Sequence, residues 1–329
     1  MKAWELHQGK LELRDVEPPR APGADETVVQ ISHAGFCGSD LSKLLRPTDF
    51  ALPEPWRPGH EIVGTDPAGR PVAVDPLVPC ADCTRCRAGD THLYPQLRRL
   101  GWDLPGGFAK QMAVPATNAH PLPDGLDLLH AALADPAAVA IHGLRCSPPC
   151  APGRLAVVGA GTVGLLTALY ALHQAWEVTV VHRDGRAPHD TVTTSVHATF
   201  HPPSALPNEE TFDVVVDAAT GADPTPLDLA LRLVRDGGTV IVQNAYHPGV
   251  HLPTPLRDLF RRSIHLIGAF SHCRRQRPDD FTLALTFLRD HATAITKLIA
   301  DAGQLADLPT VISDWPTPSV RQVLATYTS

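Results

Sequence analysis

Over roughly the first 120 positions, apolar and polar residues alternate in short runs broken by Pro and Gly. WELHQGKLELRDV, TVVQISHAG and PVAVDPLV each predict strand. Such spacing predicts a compact β unit and not a βαβ series. Across residues 126–144 the texture changes, and DLLHAALADPAAVAIHGL predicts helix. Pro136 has no backbone N–H to donate, so it must lie near the helix start or at a kink. From about Arg154 strand and helix alternate. LAVVGAG, EVTVVHR, FDVVVDAATG, GTVIVQNA and IHLIGAF are apolar strands, and TVGLLTALYALHQA and LDLALRLVRDGG are helices between them. That alternation predicts a parallel sheet covered by helices. The stretch from His182 to Phe212 holds too much Pro, Thr and His to predict a helix. An amphipathic helix returns from about Pro278 in FTLALTFLRDHATAITKLI, and the Pro-rich end is short.

The chain has 329 residues, too many for one typical core, so two domains are expected. Its net charge of −7 argues against a dedicated nucleic-acid binder. No apolar run approaches the roughly 18 residues of a membrane span. The start, MKAWELHQGKLELRD, carries no hydrophobic signal region, so a cytoplasmic location is expected. Seven cysteines, an odd number with three clustered, point to metal ligation over disulfides.

The sharpest local signal is VVGAGTVG. Gly159, Gly161 and Gly164 follow a predicted strand, and Thr162 and Val163 open a predicted helix, the context in which G-x-G-x-x-G marks a dinucleotide site. The glycines allow a tight turn and close approach of a pyrophosphate to the free N–H groups of the helix start. The next strand ends in Val181-His182-Arg183, with no carboxylate for a ribose 2′-hydroxyl. Arg183 suits a 2′-phosphate, favouring NADP over NAD; the alternative is a solvated loop residue. A dispersed set comprises GFCGSD, GHE and ADPAAVAIHG. Cys37, His60 and Asp135 supply the sulfur, nitrogen and oxygen of a catalytic zinc site with one open position. Asp40 suits a partner that fixes the His60 tautomer, and Ser39 suits a proton carrier. Each also has a bland reading: a buried thiol, a loop histidine, a helix cap. In PCADCTRCRAGD, Cys80, Cys83 and Cys86 form a further thiol cluster that lacks the rest of an iron–sulfur or zinc-ribbon pattern.

GFCGSDL, RPGHEIVG, PCADCTRCRAGD, GGFAKQMAVPA, ADPAAVAIHG and VVGAGTVGLL occur in the order and at the spacing of one family. Through them nearly the whole chain resembles the zinc-type medium-chain dehydrogenase/reductases, the alcohol, sorbitol and threonine dehydrogenase group. The resemblance implies a GroES-like β catalytic domain at 1–145, a Rossmann NAD(P)-binding domain at 146–269, and a return to the catalytic domain at 270–329. It makes Cys37 and His60 zinc ligands and Glu61 a ligand or near-ligand. Asp135 stands where polyol dehydrogenases have Glu, and Ser39 matches the relay hydroxyl. Ser42 occupies the place of the family's relay histidine. In the cysteine lobe the fourth cysteine falls at Tyr94, which leaves three thiolates with water or His92, or a metal-free lobe. The helix after the second Rossmann strand is expected to be eroded near 186–204. The family's final strand is expected to be missing, because the chain stops at TYTS. CGSDLS and the acid before Pro136 lean toward polyol and aminocyclitol dehydrogenases.

The resemblance implies hydride exchange between NAD(P) and a secondary alcohol or ketone, with zinc as Lewis acid, in a homodimer or homotetramer. Trp56, Leu100 and Trp102 are candidate pocket walls or ordinary packing residues. The competing readings are a zinc-free NADPH-dependent reductase of the same fold, which would lack the Cys/His/acid set, and a non-catalytic NADP-binding protein.

Overall fold

The computed structural model describes residues 1–20, 23–183, 185, 187–188, 190–206, 212–220, 223–247, 249–252, 254–315 and 320–326. The chain divides into two compact units. One is Met1–Asp135 with nearly all of the chain from Cys273 onward, and the other is Pro136–His272.

The first unit opens on the hairpin Lys2–His7 and Lys10–Asp15. Gln8 and Gly9 both have positive φ, as a two-residue turn between twisted strands requires. Its main sheet runs in the order Ile299–Gln304, Arg321–Ala325, Glu26–Phe36, Glu61–Thr65, Pro71–Val74, Ala119–Pro121, and Gln111–Pro115 also pairs with Glu26–Phe36. The long strand Glu26–Phe36 organises this unit. Its first half pairs with Gln111–Pro115, and its second half lies between Arg321–Ala325 and Glu61–Thr65. Val29, Ala34, Phe36, Val63, Val323 and Leu324 along these strands are fully buried.

The final strand is a correction to the sequence reading. Arg321–Ala325 exists and sits inside the sheet, with Gln322 opposite Phe36 and Leu324 opposite Ala34. VRQVLA carries the apolar content of a strand, and the short tail hid it. The helix predicted from Pro278 is also divided. Asp280–Asp290 is capped by the Asp279 side chain, and a separate turn, Ala292–Ile295, follows His291.

The second unit is one parallel sheet in the order Thr199–His201, Glu177–Val181, Arg154–Val158, Phe212–Asp217, Val234–Val242, His265–Gly268. The inner strands Glu177–Val181, Arg154–Val158 and Phe212–Asp217 are near-continuous apolar runs because both their faces are covered. The chain winds outward in both directions from Arg154–Val158, so the strand order reverses there, and ligands of such sheets bind at the carboxyl ends of the strands at that point. Helices Thr162–His173 and Thr225–Leu233 pack on it, burying Leu165, Leu166, Ala168, Ala230 and Leu231. Val234 begins a strand, so the VRDGG predicted as helix belongs to the sheet. In the Thr-rich stretch Asp190–Val196 forms a short helix, where none was predicted. It buries Val192 and Val196, and its Thr and Ser hydroxyls bond back to the carbonyls of Asp190, Thr191 and Val192. No helix among the described residues is long and apolar enough to cross a membrane.

Because Leu324 is fully buried beside Trp4, Ala34 and Phe36, Leu324→Ala should lower the unfolding free energy of its unit by about 2–5 kcal/mol. The control Leu256→Ala, at a 75% exposed position, should stay within about 0.5 kcal/mol. Urea titration of both variants checks this.

Candidate active site

Three strand ends meet in the first unit. Cys37 follows Phe36, His60 precedes the strand that begins at Glu61, and Arg321 opens the last strand. The pairing sets Gly35 opposite Glu61 and Phe36 opposite Gln322. Ligand atoms of Cys37, His60 and Glu61 thereby lie within 4.8 Å of one another. Gly35 has no side chain for a physical reason: a Cβ there would stand 2.9 Å from the Glu61 Cβ.

Cys37 also caps the helix Gly38–Leu45, and its backbone N–H donates to Asp40 Oδ2 at 3.2 Å. Asp40 is fully buried, and its Oδ1 lies 3.3 Å from His60 Nδ1. One carboxylate therefore closes the helix start and stands as the ion-pair partner of the imidazole. Ser39 stands half-buried in the first turn, between Cys37 and Asp40. The Ser42 hydroxyl donates to the Gly38 carbonyl at 3.0 Å, within its own helix.

Arg321 was missed by the sequence reading. Its Nε lies 3.0 Å from Glu61 Oε2, and its Nη1 donates to the Phe36 carbonyl at 3.0 Å. Burial alone would push the Cys37 thiol up, but the Arg321 and His60 charges outweigh it and bring the thiol down to about 6. Burial would likewise lower the His60 pKa, yet Asp40 and Cys37 hold it well above the usual histidine range. Burial pushes the Glu61 carboxyl well up, and Arg321 offsets this only in part. Asp135 lies outside the 4.8 Å group, but Glu61 and Arg321 both feel its charge.

This donor set fits a cation. A thiolate, an imidazole and a carboxylate converge in a buried place, and neither Glu61 oxygen has a hydrogen-bond partner among the described residues. Those are the donor types zinc takes.

Cys80, Cys83 and Cys86 form a second group within 4.8 Å. The Cys83 N–H donates to Cys80 Sγ at 3.3 Å. N–H groups of Cys83 and Asp82 bring the Cys80 thiol to about 7, while burial pushes Cys86 to about 11. Tyr94 stands near these sulfurs, and burial together with the Cys80 thiol pushes its hydroxyl pKa up; His92 is outside the group. Trp56 and Leu100 are core residues, and Trp102 is half-buried.

In the second unit, Gly159, Gly161 and Gly164 form the turn from Arg154–Val158 into the helix Thr162–His173. Gly159 has φ +115°, and a Cβ on it would lie 2.8 Å from the Ala218 carbonyl carbon. A Cβ on Gly164 would collide with the Gly159 carbonyl oxygen. At Gly161 nothing lies within 4 Å of a built Cβ, so the loop presents open space beside the helix start at Thr162 and Val163. No side chain caps that start, which leaves its N–H groups for an anion. After the next strand, His182 is buried, and the exposed Arg183 reaches the Thr220 carbonyl at 3.4 Å, bringing its guanidinium to the loop after Phe212–Asp217. Asp184 lies outside the described residues.

The alcohol dehydrogenase GroES-like domain family matches residues 23–124. L-galactonate-5-dehydrogenase of Escherichia coli (strain K12) is 30% identical over 282 residues, 79% of each chain. D-altritol 5-dehydrogenase of Agrobacterium fabrum is 30% identical over 321 residues, 91% of this chain and 89% of that protein. The chain belongs to the zinc-type medium-chain dehydrogenase/reductase family, in its polyol dehydrogenase branch. It is an oxidoreductase of the NAD(P)-dependent alcohol dehydrogenase kind. An alcohol dehydrogenase structure from Pyrobaculum aerophilum superposes with a TM-score of 0.85 at 26% identity, covering 99% of each chain. A dehydrogenase from Sinorhizobium meliloti 1021, solved bound to NADP, gives 0.85 at 26% identity over 98% of each.

In metal-free protein, alkylation of Cys37 should rise with pH through a midpoint near 6, where its thiolate forms. Arg321→Gln removes the largest influence lowering that pKa, so the midpoint should move up and alkylation at pH 7 should fall several-fold. Mass spectrometry of the peptide containing Cys37 reads both.

Proposed function

We propose that this chain exchanges a hydride between NAD(P) and a secondary alcohol or ketone of a polyol or sugar acid, with zinc held by Cys37, His60 and Glu61. The convergence of those three donors carries the reading. It also weighs against a zinc-free reductase of the same fold, which has no use for a buried thiolate and carboxylate facing one point. The names of the relatives, L-galactonate and D-altritol dehydrogenases, support an open-chain polyol or sugar acid. Cyclitols and amino sugars are the comparison set for a substrate screen.

Zinc, when bound, supplies Lewis acidity that lowers the pKa of the substrate hydroxyl. Cys37, His60 and Glu61 would hold it, Asp40 stands beside His60 Nδ1 as its charge partner, and Asp135 adds negative charge nearby. Ser39 receives the substrate proton, and with Ser42 bonded inside its helix, water carries that proton onward. Gly161, Thr162 and Val163 present the open, uncapped helix start to the pyrophosphate. Arg183 favours NADP, which the Sinorhizobium structure carries. Seven free cysteines suit a reducing cytoplasm. The edge strand His265–Gly268 bears exposed Leu266, and Phe270, Leu256 and Phe260 are exposed in the same unit. Among the described residues no strand pairs with the outer edge of His265–Gly268, which supports pairing with a second copy, so light scattering should give at least a dimer.

Metal analysis of protein purified without chelator should find one zinc per chain that is lost in Cys37→Ser, and any further zinc that survives this change resides on Cys80, Cys83 and Cys86. Zinc content unchanged by Cys37→Ser, or full alcohol-oxidising activity in that variant, would defeat the proposal. Arg183→Ala should weaken NADP about tenfold with little change for NAD, as loss of a charged hydrogen bond predicts. Equilibrium titration by nicotinamide fluorescence reads both cofactors.

A further inference from the structure

Lys43 has no place in the mechanism above, yet it is among the most completely buried side chains of the first unit. It lies one turn beyond Asp40 on the helix Gly38–Leu45. Its ammonium sits over the Trp102 ring, 3.6 Å from the centroid, and 5.4 Å from that of Trp56. Nζ is 3.9 Å from Asp40 Oδ1, and it has no hydrogen-bond partner among the described residues. A lysine usually extends its ammonium into water. Here it points inward, and two aromatic faces replace its hydration.

The groups around it identify its task. Arg99 lies over the same Trp102 ring at 4.1 Å and pairs with Asp103 at 2.9 Å, so those two charges answer each other. Among the described residues Asp40 is the one carboxylate within ion-pair distance of Lys43, and the same Oδ1 lies 3.3 Å from His60 Nδ1. The order is therefore aromatic cage, ammonium, carboxylate, imidazole, and then the point on which Cys37 and Glu61 converge.

We infer that Lys43 is a positioning residue of the metal site: caged by Trp102 and Trp56, its ammonium holds the Asp40 carboxylate on His60 Nδ1 and so orients the imidazole toward the cation. Asp40 sits in a region of low polarity, where an opposite charge at 3.9 Å acts far more strongly than in water. The lysine keeps the carboxylate aimed without competing for the hydrogen bonds it accepts. The inference rests on the zinc reading above, and the test separates the two.

Cys37-dependent zinc binding is measured by chelator competition for the wild type, Lys43→Met, Lys43→Arg, Asp40→Asn and the double variant Lys43→Met/Asp40→Asn. Lys43→Met should bind zinc about 10–100-fold more weakly, the range for loss of a group supporting a ligand. Lys43→Arg should stay within a few-fold of wild type. In the Asp40→Asn background, Lys43→Met should cost almost nothing further, because its action runs through Asp40. Lys43→Gln carries the same expectation should the methionine variant fail to fold. Wild-type affinity in Lys43→Met or Lys43→Gln, or an undiminished loss in the Asp40→Asn background, overturns the inference alone. Absence of Cys37-dependent zinc in the wild type overturns the zinc reading and this inference with it.

Discussion

The site depends on strand register. Glu26–Phe36 pairs on one side with Glu61–Thr65 and on the other with Arg321–Ala325, and the residues just beyond the paired ends are those that meet. A slip of one residue in either ladder would turn alternate side chains to the opposite face and carry Glu61 or Arg321 away from Cys37. Two glycines hold the first ladder in place. Gly35 gives room to the Glu61 side chain, and a Cβ on Gly64 would stand 2.8 Å from the Gln30 carbonyl carbon. The hydrophobic residues on the same strands supply the stability that makes the register unique, so the core and the site are built by the same pairing.

Register brings charges together, and burial makes their balance strict. Cys37, Asp40, Glu61, His60, Lys43 and Arg321 occupy one small region, with Asp40, Glu61, Lys43 and Arg321 away from water, where an isolated charge costs several kcal/mol. Each negative group there has a positive neighbour: Glu61 has Arg321, Asp40 has His60 and Lys43, and Cys37 has both His60 and Arg321. Apolar residues of similar volume would serve stability as well or better. A cluster this costly to bury is what a ligand-binding site requires, and its thiol, imidazole and carboxyl groups are donors that suit a divalent cation.

The features legible in sequence are those that short segments determine. The glycine turn, the parallel sheet, the CGSD and GHE motifs and the cysteine cluster are each set by neighbouring residues, and chain order fixed which fold they belong to. The readings that failed were also local. Thr and His lower helix propensity near residue 190, but the burial of Val192 and Val196 overrides it. The last strand was discounted for its short tail, although its partner lies 285 residues earlier and pairing, not tail length, stabilises it.

Arg321 and Lys43 show why part of a site escapes this kind of reading. Periodicity assigns Arg and Lys to the solvent side, because so few are buried. What reverses the assignment for Lys43 is Trp102, a residue of a distant loop, and for Arg321 it is Glu61 across a sheet. Neither partner is visible from the segment that holds the cation. Motifs mark the groups that touch a ligand because those groups cluster near turns and strand ends; the residues that orient them are gathered from wherever the fold supplies a face, and only the three-dimensional pairing reveals them.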